Sequence, residues 1–417
     1  MSDAPRPSAA LLSKKRREIT VQPEAMSISW LKRNAPFYPY IDGKRDREHT
    51  IGWMGNAFRG IRIALAIAAL CFGADQPKSW QIGPFVRPEG ANPVIQPAKD
   101  SVFVCPIRKT PVHWESLHTF NPAAIVRNGK IYVLYRAEDD SGEMDIGMHT
   151  SRLGLAESQD GIHFTRRAAP VFYADQDAQK DREWPGGCED PRLVESEDGT
   201  YVITYTQWNR KRTAAAIATS KDLLTWTKYG PALSGAKYAE LSYKSAGIVC
   251  RLSKGRLIAT KVKGKYWMYW GEGTVRLATS TDLIHWRPIE GPDGNAIAVL
   301  GNRPGKFDSS FPEVGPPPVV TRNGIVVIYN GKNDPDHGDP ALGPNAYAAG
   351  QALFAADDPA RLISRSEKPF FKPEMPFEKT GQYAAGTTFV EGLVFFKRKW
   401  FLYYGCADSL VGVAETP

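Results

Sequence analysis

The residues of this chain that could do acid–base chemistry stand at the ends of short apolar segments. Carboxylates and arginines occur there at four places: Arg136-Ala-Glu138-Asp139, Glu189-Asp190-Pro191-Arg192, Glu272 and Phe311-Pro-Glu313-Val-Gly315. A carboxylate in apolar or Gly/Pro-rich surroundings is costly unless it is paired or used. Each one alone is compatible with a salt bridge or a surface loop. As a group drawn from several segments, they indicate one shared site.

Five segments of similar design would position these residues. Four open with a glycine turn and the fifth with a basic run, and each ends in an aromatic followed by polar residues or glycine. The final aromatics, spaced 70, 65, 59 and 75 residues apart, are Tyr135, Tyr205, Trp270, Tyr329 and Tyr404. Their β-branched and aromatic residues favour strands, and a long, roughly constant period indicates one unit repeated around a shared core. The sequence therefore predicts an all-β, five-bladed β-propeller with little helix, whose axis carries the site.

A second repeat runs in step with the first. Its form, Ala-x-Ser-x-Asp-x-x-x-aromatic, begins at Ala156, Ala218 and Ala278, and a degenerate fourth copy spans Leu353–Pro359. Ser and Asp side chains fix turns by bonding nearby backbone N–H groups. We interpret the repeat as the hairpin between the third and fourth strands of each blade. Val411–Ala414 is expected to complete the final blade by pairing with strands from elsewhere in the chain.

Composition and charge give the broad class. The chain is 42% hydrophobic and 24% charged, which is ordinary for a globular protein. The net charge of +8 is concentrated in residues 1–74, and the remainder holds 41 basic against 39 acidic residues. A globular part so close to neutral gives little support for nucleic-acid binding.

The N-terminal region predicts export. Residues 54–74 have the form of a signal peptide, with Arg59 and Arg62 ahead of the apolar core Ile63–Phe72, which is too short to span a bilayer. Residues 1–53 are interpreted as a disordered extension or a misassigned start, and residues 75–417 as the propeller. A periplasmic or secreted location follows. An amphipathic or buried helix is the alternative for this apolar segment.

No metal or cofactor is predicted. The four cysteines after the leader lack the close pairing of a zinc site, and the histidines show no ligand spacing. The cysteines, read as buried small hydrophobes with at most one or two bridges, are Cys105, Cys188, Cys250 and Cys406. The loop over 333–340 could hold calcium or be a solvated turn.

An ordered set of motifs resembles a known family. Phe120-Asn-Pro-Ala123, Leu134-Tyr-Arg-Ala-Glu138 and Trp184-Pro-Gly-Gly-Cys-Glu-Asp-Pro-Arg192 together resemble glycoside hydrolase family 130, which comprises five-bladed propellers acting on β-mannosides. The resemblance covers nearly all of residues 82–413. The family divides into phosphorylases, which attack with phosphate, and hydrolases, which attack with water. At Tyr269-Trp-Gly-Glu272 and Pro312-Glu-Val-Gly315 the chain resembles the hydrolase branch, which carries two glutamates there and cleaves β-1,2-mannosides.

The resemblance implies roles for individual residues. In an inverting glycosidase one carboxylic acid protonates the leaving oxygen and a second carboxylate activates water. Asp190 matches the family's general acid, which acts through a sugar hydroxyl relay, and Glu272 and Glu313 match two candidates for the base. The residues expected to bind the substrate, with Trp208 and Tyr383 as stacking surfaces, are Asn121, Arg136, Glu138, Arg192, Trp208, Asn209, Lys244, Asp308 and Tyr383. No cofactor is implied.

The predicted function is that of an exo-acting, inverting β-1,2-mannosidase, which releases mannose from β-linked manno-oligosaccharides. Three alternatives remain open. A β-mannoside phosphorylase would produce mannose 1-phosphate, and an arabinan- or fructan-acting hydrolase shares the architecture. A non-catalytic propeller would bind mannosides without turnover.

Overall fold

The computed structural model of the chain describes residues 80–141, 145–233, 235–239 and 241–417. The predicted extension (1–53) and signal peptide (54–74) lie outside the described residues. Strands hold 48% of the residues and helices 3%, which confirms the all-β class. The described helices are short: α1 (Lys180–Glu183), α2 (Ala236–Ala239) and a 3₁₀ helix, Pro376–Glu378. In the described ranges no helix has the length and apolar character needed to cross a membrane.

The strands form five consecutive antiparallel units, preceded by a pair made of β1 (Phe103–Val104) and β2 (Pro111–Val112). The first unit contains β3 (His118–Arg127), β4 (Lys130–Glu138), β5 (Ser151–Ser158) and β6 (Thr165–Arg166). The second contains β7 (Gly187–Glu195), β8 (Tyr201–Trp208), β9 (Thr213–Ser220) and β10 (Trp226–Pro231).

The later units are more divided. The third contains β11 (Ala246–Ile248), β12 (Cys250–Ser253), β13 (Arg256–Ala259), β14 (Lys261–Val262), β15 (Lys265–Trp270), β16 (Val275–Ser280), β17 (Arg287–Pro288) and β18 (Ala298–Leu300). The fourth contains β19 (Phe311–Val314), β20 (Val319–Thr321), β21 (Gly324–Lys332), β22 (Tyr347–Ala355) and β23 (Asp358–Arg365). The fifth contains β24 (Thr388–Phe396), β25 (Lys399–Cys406) and β26 (Leu410–Glu415).

The final strand pairs with its neighbour β25 and also with the N-terminal part of the described chain, as expected for residues 411–414. β26 runs antiparallel to β25, and its Val411 and Glu415 also form bridges with Ile95 and Val86. Short parallel contacts join the first unit to the second, at Ser151 and Gly187. Within the described residues the pairings make four separate sheets, and none closes on itself.

Both sequence repeats occupy the places predicted for them. The five final aromatics lie on β4, β8, β15, β21 and β25, each of which pairs with a strand on both of its sides. In the Ser-x-Asp turn between β9 and β10, Ser220 Oγ accepts hydrogen bonds from the backbone N–H groups of Asp222 and Leu223. Asp222 Oδ1 accepts from the next two, Leu224 and Thr225. The same bonds recur at Ser158 and Ser280, so the side chains replace backbone partners that a tight turn lacks.

The hairpin before the second strand explains why one copy opens with a basic run. Asn128 and Gly129 both have positive φ, 48° and 73°, which is the requirement of a two-residue type I′ turn. In the fifth unit Lys397 and Arg398 take the same left-handed conformation, with φ of 47° and 70°. The turn is thus retained without its usual glycine.

Four of the five aromatics belong to a buried polar group that the sequence did not reveal. Each is a tyrosine whose hydroxyl donates to a carboxylate 20 to 26 residues earlier, and each carboxylate also meets a cation. The four groups are Tyr135–Glu115–Arg166, Tyr205–Glu183–Lys228, Tyr329–Asp308–Arg365 and Tyr404–Glu378–Arg87. In the third unit Trp270 replaces the tyrosine. The four free cysteines are all buried, which fits their reading as small hydrophobes.

Replacement of Lys228 by Met should lower the free energy of unfolding by about 3 kcal/mol, because it leaves the Glu183 carboxylate buried without its cation. Lys228 Nζ lies 2.6 Å from Glu183 Oε2, and the Glu183 side chain is 0% exposed. Lys221→Met is the matched control, since its pair with Asp198 is largely exposed and worth about 0–1 kcal/mol. Urea denaturation measures both. If both variants lose the same free energy of unfolding, the buried pair of Lys228 and Glu183 stabilises the protein no more than an exposed pair does.

Candidate active site

Irregularities in the first strands of three units carry polar side chains. The register shifts between Phe120 and Pro122 on β3, between Glu189 and Arg192 on β7, and between Val390 and Gly392 on β24. Bulges of this kind redirect side chains and are common next to active sites. The residues at these shifts are Asn121, Asp190 with Pro191, and Glu391.

Asn121 and Asp190 are both held in an unfavourable backbone conformation. Their φ values are 44° and 47°, in the left-handed region that costs a non-glycine residue roughly 1–3 kcal/mol. A proline follows each, and proline cannot donate to the sheet, which suits a bulge. The result is a direct hydrogen bond of 2.9 Å from Asn121 Nδ2 to Asp190 Oδ1. Gly405 makes room for it, because a Cβ there would lie 2.2 Å from Asn121 Oδ1.

Arg136 connects the acidic residues of the first two units. Its guanidinium lies 3.1 Å from Asp190 Oδ1, 2.6 Å from Glu138 Oε1 and 2.9 Å from Glu189 Oε1. All four side chains are at least nine-tenths buried. The buried carboxylates are therefore compensated by one rigid cation.

Glu272 and Glu313 are brought together by backbone pairing between the third and fourth units. The two residues form an isolated antiparallel bridge. Lys244 Nζ lies 3.5 Å from Glu272 Oε1 and 3.7 Å from Glu313 Oε1, and the Ser245 hydroxyl also donates to Glu313. Glu272 is 37% exposed, whereas Glu313 is fully buried and its Oε2 has no partner among the described residues.

Arg192 joins the two groups of carboxylates. Its guanidinium donates to the backbone oxygen of Asp190 at 2.9 Å and to that of Val314, next to Glu313, at 2.8 Å. It also pairs with Glu391 at 2.8 Å. Asp190 and Glu313, 123 residues apart in sequence, are thus held on either side of one guanidinium. We refer to this assembly around Arg136, Arg192 and Lys244 as the carboxylate cluster.

The surroundings of the carboxylate cluster shift the pKa values of its carboxyls in opposite directions. Burial raises the pKa of Glu189 to about 7, and the charges of Asp190 and Glu138 add to the rise. Burial likewise raises the pKa of Glu313 to about 7, although Lys244 opposes it. At Asp190 burial also disfavours the charge, but Arg136, Lys244, Arg192 and the Asn121 hydrogen bond outweigh it, so its pKa is lowered. Such opposed shifts within one cluster are typical of catalytic sites.

Lys332 extends the cluster toward Tyr383. Its Nζ lies 5.6 to 6.0 Å from the ring centroids of Phe311, Tyr347 and Tyr383. Burial lowers the pKa of Lys332, while the negative charge of Glu272 opposes that shift. Tyr383 therefore faces the same region as the glutamates, through a cation held among aromatic rings.

Three predicted substrate-binding residues make contacts with residues that do not belong to the cluster. Asp308 belongs to the buried group with Tyr329, Arg303 and Arg365, because those donors take up its carboxylate. Asn209 accepts from the backbone N–H groups of Lys211 and Arg212, which is the pattern of a turn. Trp208 Nε1 donates to the Gly147 oxygen at 2.7 Å. Arg192 lies in the cluster, where its guanidinium contacts two backbone oxygens and Glu391.

Several residues of the cluster were not selected from the sequence. Glu189 stands inside a motif that carried the family resemblance, and Asp408 lies within residues 82–413, which that resemblance covers. Burial raises the pKa of Asp408 to about 7, with Asp190 and Glu138 adding to it. No sequence motif distinguished the other three residues, Glu391, Ser245 and Lys332. Their placement depends on the bulge in β24 and on contacts between units.

Cavities elsewhere on the surface do not involve the predicted residues. The surface cavity of about 430 Å³ beside the second unit is lined by residues that include Phe172, Trp226 and Lys228. None of the twelve predicted site residues lines it.

The chain is similar to known proteins over most of its length. The model of glycoside hydrolase family 130, described as β-1,4-mannooligosaccharide phosphorylase, matches residues 90–417. A 1,2-β-oligomannan phosphorylase from Thermoanaerobacter sp. is 32% identical over 305 residues, which cover 72% of this chain and 90% of that protein.

Two solved structures are more similar in sequence. One, of a protein described only as a candidate glycosidase from Bacteroides thetaiotaomicron, is 55% identical with a TM-score of 0.78, covering 79% of this chain and 96% of that one. The other is 53% identical with a TM-score of 0.80, covering 82% and 96%. It is described with the statement that the family of mannoside phosphorylases contains glycoside hydrolases that target β-1,2 mannosidic linkages in Candida mannan.

Proposed function

The chain belongs to glycoside hydrolase family 130, and from that premise we propose that it is an exo-acting β-1,2-mannosidase that releases mannose with inversion. Members of the family act on β-mannosides, so the chain is an enzyme for this class of substrate. We propose two further points: that water is the attacking group, and that the enzyme cleaves the β-1,2 linkage.

The observation that carries the proposal is the pair Glu272 and Glu313 around Lys244. A phosphorylase has to bind a phosphate dianion beside the sugar, and this requires several cations free to neutralise it. Lys244 lies within 3.7 Å of both carboxylates and is already compensated by them. Water can enter such a place and lose a proton to a carboxylate, whereas phosphate would meet two negative charges.

The wider charge balance points the same way. The carboxylates that act electrostatically on the cluster outnumber its cations. The acidic members are Glu138, Glu189, Asp190, Glu272, Glu313, Glu391 and Asp408, and the basic members are Arg136, Arg192, Lys244 and Lys332. Protonation of the carboxyls with pKa values near 7 reduces this surplus but adds no positive charge. The cluster therefore suits a neutral sugar and water better than an anion.

A phosphorylase is the second candidate, and the names of the curated relatives favour it. The 1,2-β-oligomannan phosphorylase at 32% identity and the β-1,2-mannobiose phosphorylase of Listeria innocua at 27% both carry that activity in their names. Both share the β-1,2 linkage with our proposal. The structure at 53% identity is described with β-1,2-specific hydrolases, which is why we place this chain with the hydrolases.

In the proposed mechanism Asp190 is the acid and Glu313 the base. The Ser245 hydroxyl and Lys244 hold one oxygen of Glu313, which leaves Oε2 to accept a proton from water. The lowered pKa of Asp190 favours its ionised form, and the raised pKa of Glu189 favours the protonated form. Asp190 must therefore take up a proton from solvent before it can donate one to the sugar. Inversion follows because water attacks the face opposite to the leaving oxygen.

The sugar would be oriented by the residues that surround Asp190. Asn121, Arg136 and Glu138 offer planar or charged donors and acceptors in a fixed geometry, which gives orientation to hydroxyl groups. Tyr383, beside Lys332, provides an aromatic surface near Glu272. Trp208, which lies opposite Gly187 in the sheet, keeps its proposed stacking role.

We also propose that the five units are the blades of one propeller. The first strands of the first, second and fifth units pack on one another, and the last strand is joined by residues 86 and 95 from the N-terminal side. Both features support a ring closed by its two ends. A crystal structure with more or fewer than five blades would contradict it.

Export through the signal peptide at 54–74 also remains a proposal. It rests on the basic and apolar pattern of the sequence alone. N-terminal analysis of the protein from its native host would detect the cleavage expected near residues 71–74, and an intact Met1 would contradict it.

Omission of phosphate should not reduce the rate at which the protein cleaves β-1,2-mannobiose, because the attacking group is water. Free mannose and mannose 1-phosphate are measured in parallel, with and without phosphate, using Asp190→Asn as the blank. Two mannose molecules per bond cleaved, in both conditions, support the hydrolase. Mannose 1-phosphate formed one for one with cleavage would establish the phosphorylase instead, and binding without either product would establish a non-catalytic protein.

A further inference from the structure

Three potential metal ligands meet at one edge of the first unit. His118 on β3 lies directly opposite Glu138 on β4. Glu138 in turn lies opposite Ser151 on β5, and His149 precedes Ser151 by two residues. One ring nitrogen of each histidine and one carboxylate oxygen of Glu138 all lie within 4.8 Å of one another. Because the ligands come from three neighbouring segments, the sequence showed no ligand spacing.

The two histidines lack the partners that buried imidazoles usually have. The Nδ1 atoms of His118 and His149 are buried without a hydrogen-bond partner among the described residues, and His149 is only 4% exposed. Gln382, which donates to Glu138 Oε2 at 3.2 Å, has a buried Oε1 without a partner as well. Buried polar atoms are nearly always paired, so unpaired ones at one place suggest a missing ligand.

We propose that His118, Glu138 and His149 bind a divalent transition metal, with Zn²⁺ as the representative ion. Two imidazoles and one carboxylate form a donor set that suits zinc and related ions, whereas calcium and magnesium prefer oxygen ligands alone. Three protein ligands would leave the fourth position for water. This inference rests on these contacts and does not depend on the proposed function.

The geometry requires a small closure of the side chains. Zinc ligands at about 2.0–2.2 Å from the ion lie roughly 3.4 Å apart in a tetrahedron. The three ligand atoms lie within 4.8 Å of one another, so none of their separations has to shorten by more than about 1.4 Å. Glu138 also holds Arg136, which holds Asp190, so the metal would adjoin the carboxylate cluster.

A second group of possible ligands provides a matched control. Asp334, Asp336 and His337 lie in an exposed loop, where Asp334 Oδ1 accepts from the backbone N–H groups of Asp336 and His337. These bonds are those of a turn and give the loop no unpaired buried atom. This loop is also the segment that the sequence offered as a calcium site or a solvated turn, and its bonds favour the turn.

The test uses the full chain without a purification tag, stripped with a chelator and dialysed. Titration with ZnCl₂ should give one tightly bound ion per chain, and CoCl₂ should give the visible absorption of tetrahedral Co²⁺ with nitrogen and oxygen ligands. His118→Asn combined with His149→Asn should weaken zinc binding by at least about 100-fold, since it removes two of three ligands. His337→Asn should leave both readouts unchanged.

The cobalt spectrum of the wild-type chain does not depend on whether the double variant folds. Far-UV circular dichroism of that variant without metal identifies a loss of fold. Absence of tight zinc binding to the wild type, an octahedral cobalt spectrum, or loss of binding in His337→Asn would each overturn the proposal.

Discussion

Replacement of Asp190 by Asn lowers kcat/KM for β-1,2-mannobiose by about 10²–10⁴-fold, because the amide cannot deliver the proton that the leaving oxygen needs. This corresponds to roughly 3–5 kcal/mol of lost transition-state stabilisation. The protein stays folded, since Arg136 keeps Glu138 and Glu189 as partners. Steady-state kinetics and a thermal melt measure the two effects.

Glu189→Gln is the matched control for Asp190. Glu189 is adjacent, equally buried and bound to the same guanidinium, but it is not the residue assigned as acid. Its loss should be smaller than that of Asp190→Asn by at least about tenfold. A 2,4-dinitrophenyl β-mannoside, whose leaving group needs no proton, should restore most of the rate of Asp190→Asn. If Glu189→Gln is the more damaging change, the acid has been assigned to the wrong carboxyl.

Replacement of Glu313 by Gln lowers kcat by about 10²–10⁴-fold, because water then has no carboxylate to take its proton. Glu313 is fully buried, and Gln preserves its size and its contact with Ser245. Lys244 retains Glu272 at 3.5 Å, so no cation is left unpaired. Kinetics on β-1,2-mannobiose, together with a melt of the variant, separate a catalytic loss from a loss of fold.

Glu272→Gln is the comparison that identifies the base. Glu272 shares Lys244 with Glu313 but is partly exposed, and its loss should mainly change the field around Lys244. We therefore expect a smaller effect than for Glu313→Gln. The opposite order would make Glu272 the base, and near-full activity in both variants would remove the hydrolase mechanism altogether.

The strands were predictable because their signals are local. The aromatic that ends each of the five repeated strands and the Ser-x-Asp turn both depend on neighbours within a few residues. That the same hydrogen bonds form at Ser158, Ser220 and Ser280 shows how little this repeat depends on the rest of the molecule. The order of the motifs likewise located Asp190, Glu272 and Glu313.

The contacts that the site residues make were not predictable, because they join residues far apart in the sequence. Asn121 meets Asp190 only because two bulges face each other, and Glu391 reaches Arg192 only through a third. Asp308 was expected to bind the sugar, and in the structure its carboxylate belongs to a buried group whose cation, Arg365, lies 57 residues away. A single sequence indicates neither the contacts at the bulges nor the ion pair, since both are properties of the assembled sheets.

Inverting attack by water can be observed by following β-1,2-mannobiose cleavage by ¹H NMR from the first turnovers in phosphate buffer. We expect the α anomer of mannose to appear first and the β anomer to form later by mutarotation, without mannose 1-phosphate. Initial release of the β anomer would contradict inversion. Accumulation of mannose 1-phosphate in place of one mannose would contradict hydrolysis.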